Sequence, residues 1–358
     1  MVGPAATPRE AIRDAIEARG PITFAEFMEL ALYGPGGFYQ TPPVGPSGDF
    51  VTSPHVHPVF CELVAAALRE LADRLGAPSP LRLVEVGAGD GTLARCLLAG
   101  SGGLPISYTA VERSHGARTE LSTIEGIGVR SELVPPFDVV LANELLDNLP
   151  FRVLRGEREV RIGLDGDRLV EVLAPAEGGL FTSDATDRER VAPVGALAFI
   201  DTLRRTLERG FALLIDYGGL GTTGGPVHGY RGQAIVEDVL ADPGTTDITA
   251  GVDFQLLASY ARSVGLVAFA SVTQRDALLA LGLDRWMHRQ LEGQRRSMEA
   301  GRGTEAVRTW SDRSRASLLI DPGGLGRLRW MVLATPGLAP PPWLERAWDR
   351  SRAHARHP

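Results

Sequence analysis

The apolar positions of this 358-residue chain change period several times, and each change marks an element. Residues 7–19 carry apolar side chains at helical spacing behind Thr7 and Pro8 and stop at Gly20, which predicts a capped amphipathic helix. A shorter helix is expected from Phe24 to Leu32. The stretch that follows, YGPGGFYQTPPVGPSGDFVTSP, is too rich in Gly and Pro for regular structure, and long ordered loops of this kind are usually functional. Helical periodicity returns from Val56 to Leu75. Continuous apolar runs then appear near residues 82–86, 107–112 and 137–142, the pattern of parallel strands buried on both faces.

After Pro150 the period drops to two. FRVLRG and EREVRIGLDGDRLVEVL alternate apolar and polar residues, with Asp165-Gly166 as a hairpin turn, so an antiparallel insertion is expected. A helix at residues 196–209 precedes FALLIDYG, which resumes the buried pattern, and Asp253 is placed to cap a helix running to Val264. VAFASV and RWMVLA read as further strands, and charged helices fill residues 275–315. From Gly337 the chain is rich in Pro and Arg and reads as a mobile tail. The fold class that follows is α/β, a Rossmann-like doubly wound sheet with an N-terminal helical extension and an antiparallel insertion. The expected divisions are an extension and covering loop over 1–80, the core over 81–150 and 196–335, the insertion over 151–195, and the tail over 336–358.

Composition narrows the function classes. A net charge of −7 argues against a general nucleic-acid surface. All 37 basic residues are arginine, and with the Ala, Gly and Pro richness this reads as the composition bias of a GC-rich bacterium. Cys61 and Cys96 lie in helix-like apolar stretches and are expected to be separate core thiols, which fits a reducing compartment. The N-terminus lacks an apolar signal core and no apolar run is long enough to span a membrane, so the protein is expected in the cytoplasm.

The chemistry concentrates at the ends of the buried strands. LRLVEVGAGDGTL, Leu81 to Leu93, ends an apolar strand in a turn where Gly87, Gly89 and Gly91 let the backbone bend tightly and approach a ligand. Glu112 ends the next strand, where a carboxylate can accept both ribose hydroxyls of an adenosine. The spacing is GxGxG and not GxGxxG, and Glu85 just before it suits an ammonium or sulfonium better than a pyrophosphate. With no lysine in the chain, a phosphate-cradling GxxxxGK[ST] loop is excluded. S-adenosylmethionine is the expected cofactor, and a nicotinamide oxidoreductase is disfavoured.

A second cluster, PFDVVLANELLDNLPF, delivers Asn143, Glu144 and Asp147 to the same end of the sheet, where unpaired acids are costly unless they bind something. Asp216 follows a fully apolar strand and points to the same crevice. In GDFVTSP, Asp49, Thr52 and Ser53 are candidates for ligand contact or for capping the next helix. In DITAGVDF, Asp247, Thr249 and Asp253 either hold a turn or face the cleft, and capping is the stronger reading. His55, His57 and Cys61 lack the partners of a tetrahedral metal site, so no metal is expected.

Together the ordered blocks ALYGPGGFY, GDFVTSP, VEVGAGDGTL, ANELLDNLPF, LLIDYG, DITAGVDF and TQRDALLALG resemble the MidA-like family over about residues 20 to 335. The mitochondrial members of that family are complex I assembly factors with protein arginine methyltransferase activity. The resemblance implies a class I methyltransferase fold with S-adenosyl-L-methionine held by Gly87, Gly89, Gly91 and Glu112. It also implies an arginine side chain of a protein partner, such as a respiratory complex subunit, as acceptor. Three positions depart from the family pattern: DAxP is here Asp147-Asn148-Leu149-Pro150, Gly251 replaces a histidine, and Gln233 replaces another. For such an acceptor Glu144 and Asp147 are expected to hold the guanidinium fork and receive a proton, with Asp216 as a third member. A small-molecule N- or O-methyltransferase and a non-catalytic assembly factor on the same fold are the alternatives.

Overall fold

A computed structural model describes residues 7–40, 52–100, 103–176, 189–221, 226–232 and 234–355, apart from the side chains of 353–355. Helix α1 (Pro8–Arg19) begins where the Thr7 hydroxyl accepts from the Glu10 amide and the Glu10 carboxylate accepts from the Thr7 amide, a capping box. Strand β1 (Ile22–Thr23) and α2 (Phe24–Met28) follow, and the chain widens into a π-helical turn over Glu29–Tyr33. The short α3 (Ser53–Val56) and the long α4 (Val59–Arg74) lead to the main sheet.

That sheet is built from the apolar runs. Strands β2 (Leu81–Val86), β3 (Ile106–Val111), β4 (Ile127–Arg130) and β5 (Val139–Asn143) pair in parallel in the order β4-β3-β2-β5. Helices α5 (Thr92–Gly100) and α6 (His115–Leu121) connect the first three. The insertion β6 (Arg152–Arg155), β7 (Arg158–Asp165), β8 (Arg168–Pro175) and β9 (Glu189–Ala192) forms its own antiparallel sheet. After α7 (Val194–Thr206), strand β10 (Phe211–Asp216) rejoins the main sheet parallel to β5, and Arg329–Ala334 pairs antiparallel with it. Helix α8 (Phe254–Ser263) is capped by the Asp253 carboxylate. The period-two parity divides the side chains. Leu83, Leu141 and Leu213 face α4 and α5, while Val84, Val140 and Leu214 face α7 and α8. The chain runs outward from β2 to β4 and returns to β5, so the strand order reverses between β2 and β5, where a doubly wound sheet opens its crevice.

The structure corrects several expectations. Cys61 and Cys96 are bonded in a disulfide joining α4 to α5, with Cα atoms 6.0 Å apart. The two helices pack side by side on one face of β2, a proximity that a sequence separation of 35 conceals, so the separate thiols and the compartment argued from them do not stand. The tail is a helix over Pro342–Ala355, and its Trp343 and Ala347 are fully buried, Trp343 edge-on to Trp330. An apolar stripe at helical spacing outweighs the surrounding Pro and Arg. The insertion turn is centred one residue later than expected, on Gly166-Asp167, because Asp165 is paired with Arg168. The extension and the insertion also share a core: β1 pairs with β7, and Ile12, Phe24 and Phe27 pack with Phe151 and Ile162. No helix among the described residues is long and apolar enough to cross a membrane.

Candidate active site

At the carboxyl ends of β2, β3, β5 and β10 lies a cavity of about 1350 Å³. Its floor is the glycine turn. Gly87 (φ 74°) and Gly91 (φ 75°) are left-handed, and a Cβ on either would meet Leu145 Cδ1 at 2.8 Å or Ile124 Cδ1 at 2.5 Å. Gly87 and Gly89 line the cavity, whereas Gly91 turns the chain into α5 behind it. Glu112 lines it too, its two oxygens fixed by the amides of Gly89 (3.2 Å) and Ser114 (3.1 Å). This anchored carboxylate beside an open glycine backbone fits the ribose and adjoining atoms of S-adenosylmethionine. Beside it Arg113 pairs with Glu29 and lies 4.4 Å over the Tyr33 ring, so the N-terminal extension roofs this end of the cavity.

Glu85 is placed elsewhere. Its position in β2 has the parity of Leu81 and Leu83, so the side chain is buried on the α4/α5 face and accepts from the Tyr108 hydroxyl. It is not among the residues that line the cavity, and burial pushes its carboxyl up to about 8.

The second cluster forms the opposite wall. Glu144 is held at φ 54°, a left-handed conformation rare for a residue with a Cβ, by its amide bond to Ile215 O at 2.7 Å. Its Oε1 accepts from the Ser53 amide and from Asn143 Nδ2, each at 3.2 Å, and burial raises its carboxyl to about 7. Asp147 lines the cavity with Oδ1 buried and without a partner. Burial, then the fields of Asp216, Asp247 and Glu144, hold its carboxyl well above the usual range.

Asp216 does not reach the cavity. It is fully buried, and its Oδ2 accepts from the amides of Leu145 (3.0 Å) and Leu146 (2.6 Å), with Oδ1 accepting from Tyr217 N (2.8 Å). It therefore fastens the turn that carries Glu144 and Asp147; burial raises it to about 6 against those bonds. Asn143 steadies Glu144 from outside the lining, and Ser53 does so through its backbone. Thr52 lines the cavity. Asp49 and Gln233 lie outside the described residues. His55 and His57 are engaged separately, with His55 bonded to Thr52 and Asp90 and His57 accepting from Val59 N.

Sequence reasoning missed Tyr33 and Tyr39, which line the cavity, and ranked capping above the cleft-facing reading of Asp247 and Thr249, which line it too. Asp247 is 2% exposed and accepts from the Tyr39 hydroxyl (2.7 Å) and Asn148 Nδ2 (2.8 Å), so it is neither a cap nor a plain turn residue. The two tyrosine rings stack at 5.4 Å. Their signal was the unusual length of the Gly- and Pro-rich segment that carries them.

The geometry has counterparts among known proteins. A family model described as "Putative S-adenosyl-L-methionine-dependent methyltransferase" matches residues 63–272. The mitochondrial protein arginine methyltransferase NDUFAF7 of Danio rerio is 30% identical over 318 residues, 75% of this chain and 75% of its own. The Bos taurus protein of the same name is 32% identical over 323 residues, 75% of this chain and 72% of its own. A Burkholderia thailandensis protein solved with S-adenosyl-homocysteine shares the fold, with a TM-score of 0.79 at 24% identity over 95% of this chain and 94% of that one.

Proposed function

The chain belongs to the S-adenosyl-L-methionine-dependent methyltransferase family whose model spans residues 63–272, and from that premise we propose that it methylates an arginine side chain of a protein partner. S-adenosylmethionine supplies an activated methyl group when bound. The chain's own residues do the rest. Glu112 and the backbone of Gly87 and Gly89 hold the cofactor, with Thr52 closing one side.

Glu144 and Asp147 hold the guanidinium by paired hydrogen bonds, which leaves one nitrogen free to face the methyl group. Asp216 keeps both acids in place. The observation that carries this reading is Asp147 Oδ1, a buried oxygen with no partner in the cavity wall beside a second raised acid. Groups of that kind are costly unless a cation completes them. The names of the relatives point to the same acceptor. A respiratory complex subunit is the partner class we favour; the relatives are mitochondrial by name.

The test is transfer of radiolabelled methyl from S-adenosylmethionine to an arginine peptide and to host lysate. Label on arginine that is lost in E144Q and D147N supports the proposal. Unchanged turnover in those variants removes their role, and label found only in a metabolite extract moves the acceptor to a small molecule.

A further inference from the structure

Thr52 stands where a hydroxyl would cap α3, yet its Oγ1 makes no capping bond. Instead it lies 2.8 Å from His55 Nδ1, and His55 Nε2 lies 2.9 Å from Asp90 Oδ2. The His55 side chain is 5% exposed, and Asp90 is fixed in turn by the amide and hydroxyl of Thr92. Thr52 lines the cavity, and its neighbour Ser53 donates its amide to Glu144. Thr52 thus lies in the cavity wall next to the residue that holds Glu144, and through His55 it is tied to Asp90 in the glycine turn. An ionised Asp90 only accepts, so the neutral ring carries its proton on Nε2 and turns a lone pair at Nδ1 toward Thr52.

Methyl transfer to a guanidinium needs such an arrangement. The cation keeps its protons near neutral pH, so one N–H must be lost as the methyl arrives. The sequence expectation gives that proton to Glu144 and Asp147, but carboxylates engaged by a cation are stabilised as anions, which makes both good clamps and poor proton acceptors. The geometry points to Thr52, His55 and Asp90 as a proton relay for the acceptor nitrogen. The N–H bond breaks as Thr52 Oγ1 takes its proton; the hydroxyl's own proton moves to His55 Nδ1, and Asp90 stabilises the imidazolium. Once product leaves, the proton returns through the hydroxyl to water. The charged groups facing His55 are Asp90 and Glu144; the neighbouring His57 feels Arg315 and Asp312 instead. This relay rests on the arginine acceptor proposed above.

Two measurements test it. With an arginine peptide, T52V and H55N lose about 10²-fold in kcat, far more than either loses in S-adenosylhomocysteine affinity, and T52S restores most of the rate. Full kcat in T52V, or equal losses of cofactor affinity and rate in H55N, overturns the relay in favour of a structural strap. Independently of turnover, nitrogen NMR of histidine-labelled protein finds the proton of neutral His55 on Nε2 and an Nδ1 resonance that shifts in T52V. A proton on Nδ1, or an unmoved resonance, overturns the relay. A wild type that methylates no arginine removes the acceptor reading instead, and the NMR result then decides for or against the relay alone.

Discussion

The side chains that matter most are carboxyls held out of their ordinary range. Glu144, raised to about 7 by burial, is half protonated near neutrality in the ligand-free cavity. A guanidinium needs the anion, so affinity for an arginine peptide falls about tenfold per unit as pH drops below 7. Calorimetric titration across that range checks this, with E144Q binding weakly at every pH. Much of this wall was legible in the sequence, because acids after an apolar strand have few uses other than binding. The function of Asp216 was not legible. Its carboxylate is consumed by three backbone amides, and a run of residues does not reveal which neighbouring turn will fold over a strand end. The parity of β2 did contain the placement of Glu85, since it shares a face with Leu81 and Leu83.

At the scale of elements, the glycine turn and the C-terminal helix make opposite predictions. A side chain at Gly89, which lines the cavity at φ 54°, fills the space the cofactor needs. G89R therefore abolishes S-adenosylhomocysteine binding by calorimetry while far-UV circular dichroism remains that of the wild type. Trp343 touches no ligand. It is fully buried against Trp330, and its indole helps anchor Pro342–Ala355 over the core. W343A costs about 3–5 kcal/mol of unfolding free energy in denaturant titration and leaves the affinity for S-adenosylhomocysteine intact. The parallel strands were readable because continuous apolar runs admit few other interpretations. The C-terminal helix was hidden by composition, since its stripe has only a few large apolar residues among many arginines.

For the molecule as a whole, buried acids set the response to pH. Glu85 holds its proton up to about pH 8 when folded, against 4.5 as the ordinary value. Between those limits the folded state binds a proton the unfolded chain has lost. Its stabilisation is complete below 4.5 and is drawn down as pH rises toward 8. Glu144 and Asp216 act in the same direction up to about 7 and 6. Melting temperature of the ligand-free protein therefore declines from pH 5 to 8, and E85Q flattens the upper part of that decline. A rising curve would contradict the buried, protonated Glu85. The pairing of β1 with β7 has another consequence, which concerns synthesis on the ribosome. Ile22 finds its partner Ile162 only after 140 further residues have been made, so the first helices emerge with Ile12 and Phe27 lacking their later neighbours Phe151 and Ile162. The nascent chain thus holds the roof of its cavity open until the second sheet arrives. Proteolysis of chains truncated after Leu149 should cut within residues 7–40, and chains extended past Pro175 should resist there.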